Sequence, residues 1–373
     1  MDNSSASADP TLYYKAVGSI AVYFITVISA LVVCIARTRP SAGNAFYILT
    51  AICSLFTTWY YILSFFKKEY ESLGSDLNRF IIESDLFVQA YAIVTNTLPK
   101  WWWSSQLLLL TGTALTCWSV EGQTLRTTIQ SENSKNTTKT RKWTPTWWFV
   151  LLGFFGSMSV GGPLFLAQLD SDKSAKKRSH VRSVPVFLAL LILLGELSVI
   201  ATPFLPSMTQ SFKYNLVLTH VLFLLPALLT FNPESQKRWT TFSLPRLYFF
   251  LSLIGLLSQI FYSLPFAISP IMKPIILYRA LWFNHCQTSI SADMVFNTVL
   301  TAFYMVRTTR QLGRGFGLSI VLTILMPILS VSTVLPLFLA WRERQLVERP
   351  GVTAASGKIE PSSSAVDKKK KKN

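Results

Sequence analysis

Ionisable and amide side chains are scarce within the apolar stretches of this sequence, so each one marks a place where chemistry is possible. Glu121 closes an apolar segment in Trp118-Ser119-Val120-Glu121-Gly122, and Glu196 sits deep inside another, in Leu193-Leu194-Gly195-Glu196-Leu197. Asp293 and Asn297 stand four residues apart, which puts them on one face of a helix. His220 lies midway along a further segment, and Glu83 and Asp85 belong to an amphipathic piece, 80–98, with Gln89 one turn beyond Asp85. An ionisable group at membrane depth costs about 2.5–3.5 kcal/mol on insertion scales, and such groups face a cavity or a partner. A carboxyl group held in an apolar pocket can stay protonated near neutral pH and donate its proton. Each residue also has a plain structural reading. Glu121 would be interfacial, His220 a satisfied bundle histidine, Asp293 with Asn297 a polar clamp between helices, and Glu83 with Asp85 part of a solvated loop. Glu196 is the hardest to explain in that way, though pairing with an arginine or a polar helix face would do so.

A second group of residues is aromatic. Pro99-Lys100-Trp101-Trp102-Trp103 is followed by Gln106 at helical spacing from Trp102, and Trp147-Trp148 and Trp282 add further indoles. Tryptophan gathers at membrane interfaces. The alternative is that aromatic faces line an apolar pocket, where their quadrupoles stabilise a developing cation.

The elements that must position these groups are membrane helices. Half of the 373 residues are hydrophobic, 14% are charged, and mean hydropathy is +0.38. Apolar stretches recur from Lys15 to Trp341 with short charged gaps, and about 20 helical residues cross the ~30 Å hydrocarbon core. The expected fold is an all-α polytopic transmembrane bundle of seven to nine spans: 16–36, 45–66, 101–120, 147–168, 185–205, 214–231, 245–268, 290–306 and 316–340. The segment 290–306, short and carrying Asp293 and Asn297, is the weakest of these. Residues 1–342 form the membrane domain, and 343–373 a disordered polar tail. Pro203, Pro206, Pro226, Pro265, Pro270, Pro327 and Pro336 fall in or beside the later segments, where kinks free carbonyls and favour an enclosed cavity.

Charge orients the chain only in part. The gap with Arg37 and Arg39 is basic, the next one, 67–100, sets Glu69, Glu71, Asp76, Glu83 and Asp85 against four basic residues, and the one with Arg126, Lys135, Lys139, Arg141 and Lys142 is basic again. The positive-inside rule then puts the N-terminus outside or in the lumen, and the first and third gaps in the cytosol. Strict alternation fails at Lys173, Lys176, Lys177, Arg178 and Arg182, and again at Arg307, Arg310 and Arg314. Either one segment does not cross or one region breaks the rule. The net charge of +17 sits beside the spans and in the tail, which fits anionic head groups rather than nucleic acid. Cys34, Cys53, Cys117 and Cys286 stand alone, without metal-ligand or redox spacing. Lys370 and Lys371 have the spacing of a dilysine signal for the endoplasmic reticulum, or they belong to a polybasic tail; Asn3 and Asn136 open glycosylation sequons.

The stretch from Leu86 to Gly122 combines an acidic, aromatic helix, then Pro99, Lys100 and the tryptophans, then Gln106, then Glu121-Gly122. This order resembles a fungal family of polytopic membrane proteins found in secondary-metabolite pathways. It is similar to the membrane-bound terpene cyclases of the ascofuranone type, which close rings on epoxidised prenyl chains of meroterpenoids. Trp102, Trp103, Gln106 and Glu121 are the positions that match best, and the match is confined to this stretch. One departure is that Gln123-Thr124-Leu125 precede Arg126, where the family pattern places basic residues directly after Glu-Gly.

The expected function is therefore a membrane-bound cyclase of a lipophilic prenylated intermediate. Glu121, Glu196 or Asp85 would act as general acid on an epoxide or alkene, and Trp102, Trp103 and Trp118 would line the pocket. Gln106, Asp293 and Asn297 would complete the binding site. No cofactor or metal is expected, since no aspartate-rich diphosphate motif is present. The bilayer is the implied environment, with other membrane-bound pathway enzymes as possible partners. Two alternatives stand: a transporter in which Glu196 and Asp293 carry protons or pair with substrate, and a non-catalytic membrane component of the same pathway. No internal sequence repeat supports the transporter.

Overall fold

The computed structural model describes residues 10–135, 145–171, 183–229, 241–269 and 274–347. Helices dominate them: α1 Pro10–Arg37, α2 Ala45–Ser72, α3 Leu77–Glu83, α4 Leu86–Thr95, α5 Leu98–Lys135, α6 Trp147–Leu151, α7 Met158–Ser171, α8 Val186–Ala201, α9 Gln210–Leu228, α10 Leu244–Ile268, α11 Pro274–Leu281, α12 His285–Gln311, α13 Gly317–Leu329 and α14 Val331–Val347. Among the described residues one ladder joins β1 (Ser183–Pro185) to β2 (Thr241–Ser243), antiparallel, with Val184 opposite Phe242. Helix starts carry their own acceptors, as sequence favours: Asp76 accepts from the Asn78 and Arg79 amides, Thr209 from Phe212, and Asn284 from Gln287. The amphipathic piece expected over 80–98 is two helices, because the chain is extended at Ser84 between α3 and α4.

Among the described residues, six helices are long and apolar enough to cross a membrane, within α1, α2, α8 with its 3-10 extension, α9, α10 and α12. The last of these corrects the short span expected at 290–306: the helix is 27 residues long. It is the polar residues along it that hid its length. α5 is a seventh crossing helix. Trp103 donates to the Leu277 carbonyl at one end of the bundle, and Glu121 meets Arg342 at the other, about 27 Å along the axis. α5 does not stop at Glu121 as expected but continues to Lys135. It is buried on all sides between Ser104 and Val120 apart from Leu108. Its hydroxyls turn back on their own helix: Thr111, Thr116 and Thr124 each donate to the carbonyl four residues earlier.

The ends of the bundle can be told apart by contacts. Arg307 donates to the Gly43 carbonyl and, at 2.5 Å, to Asp170, while Asn44 donates to the Ala167 carbonyl and to Ser171. The α1–α2 turn and the C-terminal ends of α7 and α12 therefore share one end, which also carries Arg37, Arg39, Arg310 and Arg314. At the opposite end, Tyr61 stacks on His285, and Ser289 donates to the Thr58 carbonyl.

The segment 147–168 does not cross. α6 runs into a π-helical turn, Leu152–Gly156, the chain extends at Ser157, and α7 runs back. Phe149 packs on Phe165, and a Cβ on Gly161 would lie 2.7 Å from the Phe149 carbonyl oxygen and 2.9 Å from the Gly153 nitrogen. Only glycine allows two helices to approach this closely. Thr146 lies against Gly122 and Asp170 on Arg307, so both ends of this hairpin are at the basic end. The span expected here is corrected to a re-entrant hairpin. That removes the orientation conflict, since the segment between Ser171 and Ser183 now starts and finishes at the basic end.

The span expected over 316–340 is also a hairpin. Ser330 adopts φ +73° between α13 and α14. The Gln259 amide reaches the Ile328 carbonyl, Ser252 donates to the Thr333 carbonyl, and Arg342 returns to Glu121 and Tyr304 at the basic end. α14 holds Glu343 buried and continues to Val347. The tail from 348 onward, with Lys370 and Lys371, and the sequons at Asn3 and Asn136 lie outside the described residues.

The two hairpins reveal a repeat of topology that the sequence conceals. α1–α7 and α9–α14 each run as two crossing helices, short helical structure at the far end (α3 and α4 in one, α11 alone in the other), a third crossing helix and a broken hairpin. Packing repeats as well: α2 lies on α7 as α10 does on α14, α12 on α7 as α5 does on α14, and α5 meets α12 at the centre. Both tips carry a serine pair, Ser157 with Ser159 at 2.9 Å and Ser330 with Ser332 at 2.8 Å.

Candidate functional site

A cleft of about 860 Å³ opens in the half of the bundle opposite the basic end. The N-terminal parts of α1, α5, α9 and α12, the C-terminal part of α2, and α4 form its walls, and the α6–α7 tip from Gly153 to Met158 closes its floor. A hairpin that stops midway leaves the volume beyond its tip unfilled, and this is the cleft. Apolar and aromatic side chains dominate it. Tyr23, Phe87, Phe154 and Phe155 come from three elements and meet there: Tyr23 is edge-on to Phe87 and donates from its hydroxyl to the Phe155 carbonyl at 2.7 Å.

Three sites stand out among the polar groups that reach this surface. Lys213 on α9 and Asp85 at the start of α4 form an ion pair at 2.6 Å, half-exposed. Tyr91 on α4 and His220 on α9 are 3.0 Å apart between Oη and Nε2, and His220 Nδ1 is 2.6 Å from the Leu216 carbonyl oxygen. A carbonyl only accepts, so Nδ1 carries the imidazole hydrogen and Nε2 accepts from the tyrosine hydroxyl. Asp293 is the third. It accepts from the Ser159 and Met158 amides at 2.7 and 3.2 Å and from the Asn297 amide at 2.9 Å. A carboxylate against the exposed amides of a helix N-terminus complements their partial charge, so Asp293 both lines the cleft and holds the broken helix in place.

The residues singled out from sequence fall in four places. Asp85 and Asp293 line the cleft, and Asn297 orients Asp293 from one turn away. Glu121 lies at the basic end in a buried cluster with Arg342, which also donates to Glu343 and Tyr304. Glu196 is 1% exposed on α8, one layer behind the cleft wall, where its Oε1 faces Gly112 of α5 and has no hydrogen-bond partner among the described residues. The indoles pack elsewhere. Trp102 donates to Ser263 and Trp103 to the Leu277 carbonyl, which fastens α5 to α10 and α11; Gln106 turns back to the Trp102 carbonyl. Trp118 fills the space beside Gly153, Gly162 and Phe165 at the core of the first hairpin. None of Trp102, Trp103, Gln106 and Trp118 touches the cleft.

Sequence reading missed Lys213, Tyr91 and the aromatic wall. The signal in the sequence is modest: a lysine near the start of an apolar helix, seven residues before His220. Phe154 and Phe155 gave none, because their segment read as an ordinary span.

Comparison with known proteins adds little chemistry. The model of a family described as a protein of unknown function, DUF2834, matches residues 247–344, the region of α10 to α14. No curated protein and no solved structure is significantly similar to the chain.

Proposed function

We propose that this protein is a membrane-bound cyclase of an epoxidised prenyl chain, of the kind its 86–122 stretch resembles, and that the cleft beyond the α6–α7 tip is its active site. The observation that carries the reading is the cleft itself: apolar, rich in aromatic rings, of a volume within the range of about 300–1,000 Å³ usual for small-molecule sites, and supplied with carboxyl groups. Asp85 is the one of the three favoured acids that reaches it. Asp85, held 2.6 Å from Lys213, is the carboxyl group placed to carry a proton to bound substrate. That proton goes to the epoxide oxygen, the C–O bond breaks, and the electron pair of a neighbouring alkene closes the ring. The faces of Tyr23, Phe87, Phe154 and Phe155 stabilise the cation as it moves. The reaction is an isomerisation and consumes no oxidant or reductant.

Microsomes carrying the chain, given epoxidised farnesyl- and geranylgeranyl-linked aromatics, are expected to release a cyclised isomer of the substrate. Asp85→Asn should lower its formation by about 10²–10⁴-fold, the range of general acid catalysis. A folded wild-type protein that converts none of these substrates would overturn the reading. A second reading, a carrier, is favoured by the repeated topology and by the broken helix with Asp293 at its N-terminus, since carriers place sites at such breaks. Uptake of the same compounds into proteoliposomes without conversion would select it.

A further inference from the structure

We propose that Tyr91 and His220 are the proton-accepting end of this cleft; the inference rests on the cyclase reading. A ring closure begun by protonation and ended as an alkene must return one proton. The cleft holds two polar pairs at separate points. Asp85 and Tyr91 are six residues apart on α4, and Lys213 and His220 seven apart on α9, so the two pairs are about 9–10 Å apart along the helices. That separation suits a chain protonated at one end and deprotonated at the other.

The hydrogen-bond directions fit acceptance. Nδ1–H is committed to the Leu216 carbonyl, and the Nε2 lone pair receives the Tyr91 hydroxyl. When a C–H bond beside the terminal cation breaks, its electrons form the alkene and its proton passes to Tyr91 Oη. The hydroxyl proton of Tyr91 moves at the same time to His220 Nε2. The imidazolium so formed keeps its bond to the Leu216 carbonyl and lies against the Phe154 ring, with centroids 5.2 Å apart, where an aromatic face favours a cation. Tyr91 touches the substrate and is the catalytic residue. His220 acts through it as a positioning residue and proton reservoir.

The test compares Tyr91→Phe and His220→Gln with wild type in the microsomal assay, with the products separated and the detergent-solubilised proteins checked for monodispersity. Losing the acceptor should cut the alkene product at least tenfold and raise the share of water-trapped alcohol. Equal falls in all products would mean a structural role only and would overturn the inference while leaving the cyclase in place. Unchanged product ratios and rates in both variants would overturn it too. No product from folded wild type would remove the cyclase reading itself, and this inference with it.

Discussion

Gly161→Ala tests the re-entrant hairpin most directly. The added methyl would meet backbone, not movable side chains: the Phe149 carbonyl oxygen at 2.7 Å, the Gly153 nitrogen at 2.9 Å and its Cα at 3.0 Å. Relief therefore requires α6 and α7 to part along their length, and inserting volume into a packed site costs about 1–3 kcal/mol. Helix propensity alone acts the other way, since Ala is favoured over Gly by roughly 0.5–1 kcal/mol in a helix. Two controls bracket the effect. Gly18 has nothing within 4 Å, and Gly162 faces only the movable Trp118 and Leu300 side chains at 3.1 and 3.4 Å. The expected order of apparent melting temperature in detergent is Gly18→Ala at or above wild type, Gly162→Ala slightly below, and Gly161→Ala lowest. A Gly161→Ala protein as stable as Gly18→Ala would refute the hairpin geometry, because a straight span would leave that methyl facing lipid or a neighbour at ordinary distance.

Other consequences are as accessible. Asp293→Ala leaves the Met158 and Ser159 amides without their acceptor and should cost about 1–3 kcal/mol per group, read as a lower melting temperature and faster proteolysis. Arg342→Met removes the cation among Glu121, Glu343 and Tyr304; breaking such a buried cluster costs about 3–5 kcal/mol. Adding Glu343→Gln should recover part of that loss, and simple additivity of the two changes would count against the cluster. In a background without Cys34, Cys53, Cys117 and Cys286, a thiol at Ser171→Cys should be labelled from the same side as one at Gly315→Cys and from the opposite side to one at Gly74→Cys. Labelling of Ser171→Cys together with Gly74→Cys would mean that 147–168 crosses after all.

Helix identity was largely legible because long apolar runs have one stable form in lipid. α1, α2 and α10 lie within a few residues of where hydropathy puts them. The failures share a cause: hydropathy measures contact with apolar surroundings and not direction of travel. Residues 147–168 are apolar because they pack inside the bundle, against Trp118 and Val27, and the turn at Ser157 leaves no trace in an average. What did carry the information was charge, since the basic residues at 173–182 fit only a segment that returns. The site was legible where one residue carries a cost that demands a partner, as at Asp293 and His220. It was illegible where the surface is assembled from remote elements, as with Tyr23, Phe87 and Phe154. The tryptophans misled because an indole is equally suited to fastening helices through its N–H, which is what Trp102 and Trp103 do.

The hairpin that ends halfway has one more effect. If the basic end faces the cytosol, as the positive-inside rule has it, the cleft lies on the side of the opposite leaflet, with the folded α6–α7 pair standing between it and the cytosolic one. On the cyclase reading proposed above, a lipophilic substrate made at the cytosolic surface would have to change leaflets before reaching Asp85 or Tyr91, and product would leave into the leaflet on the cleft's side. Sidedness of supply is thus built into the chain by the place where one helix turns round.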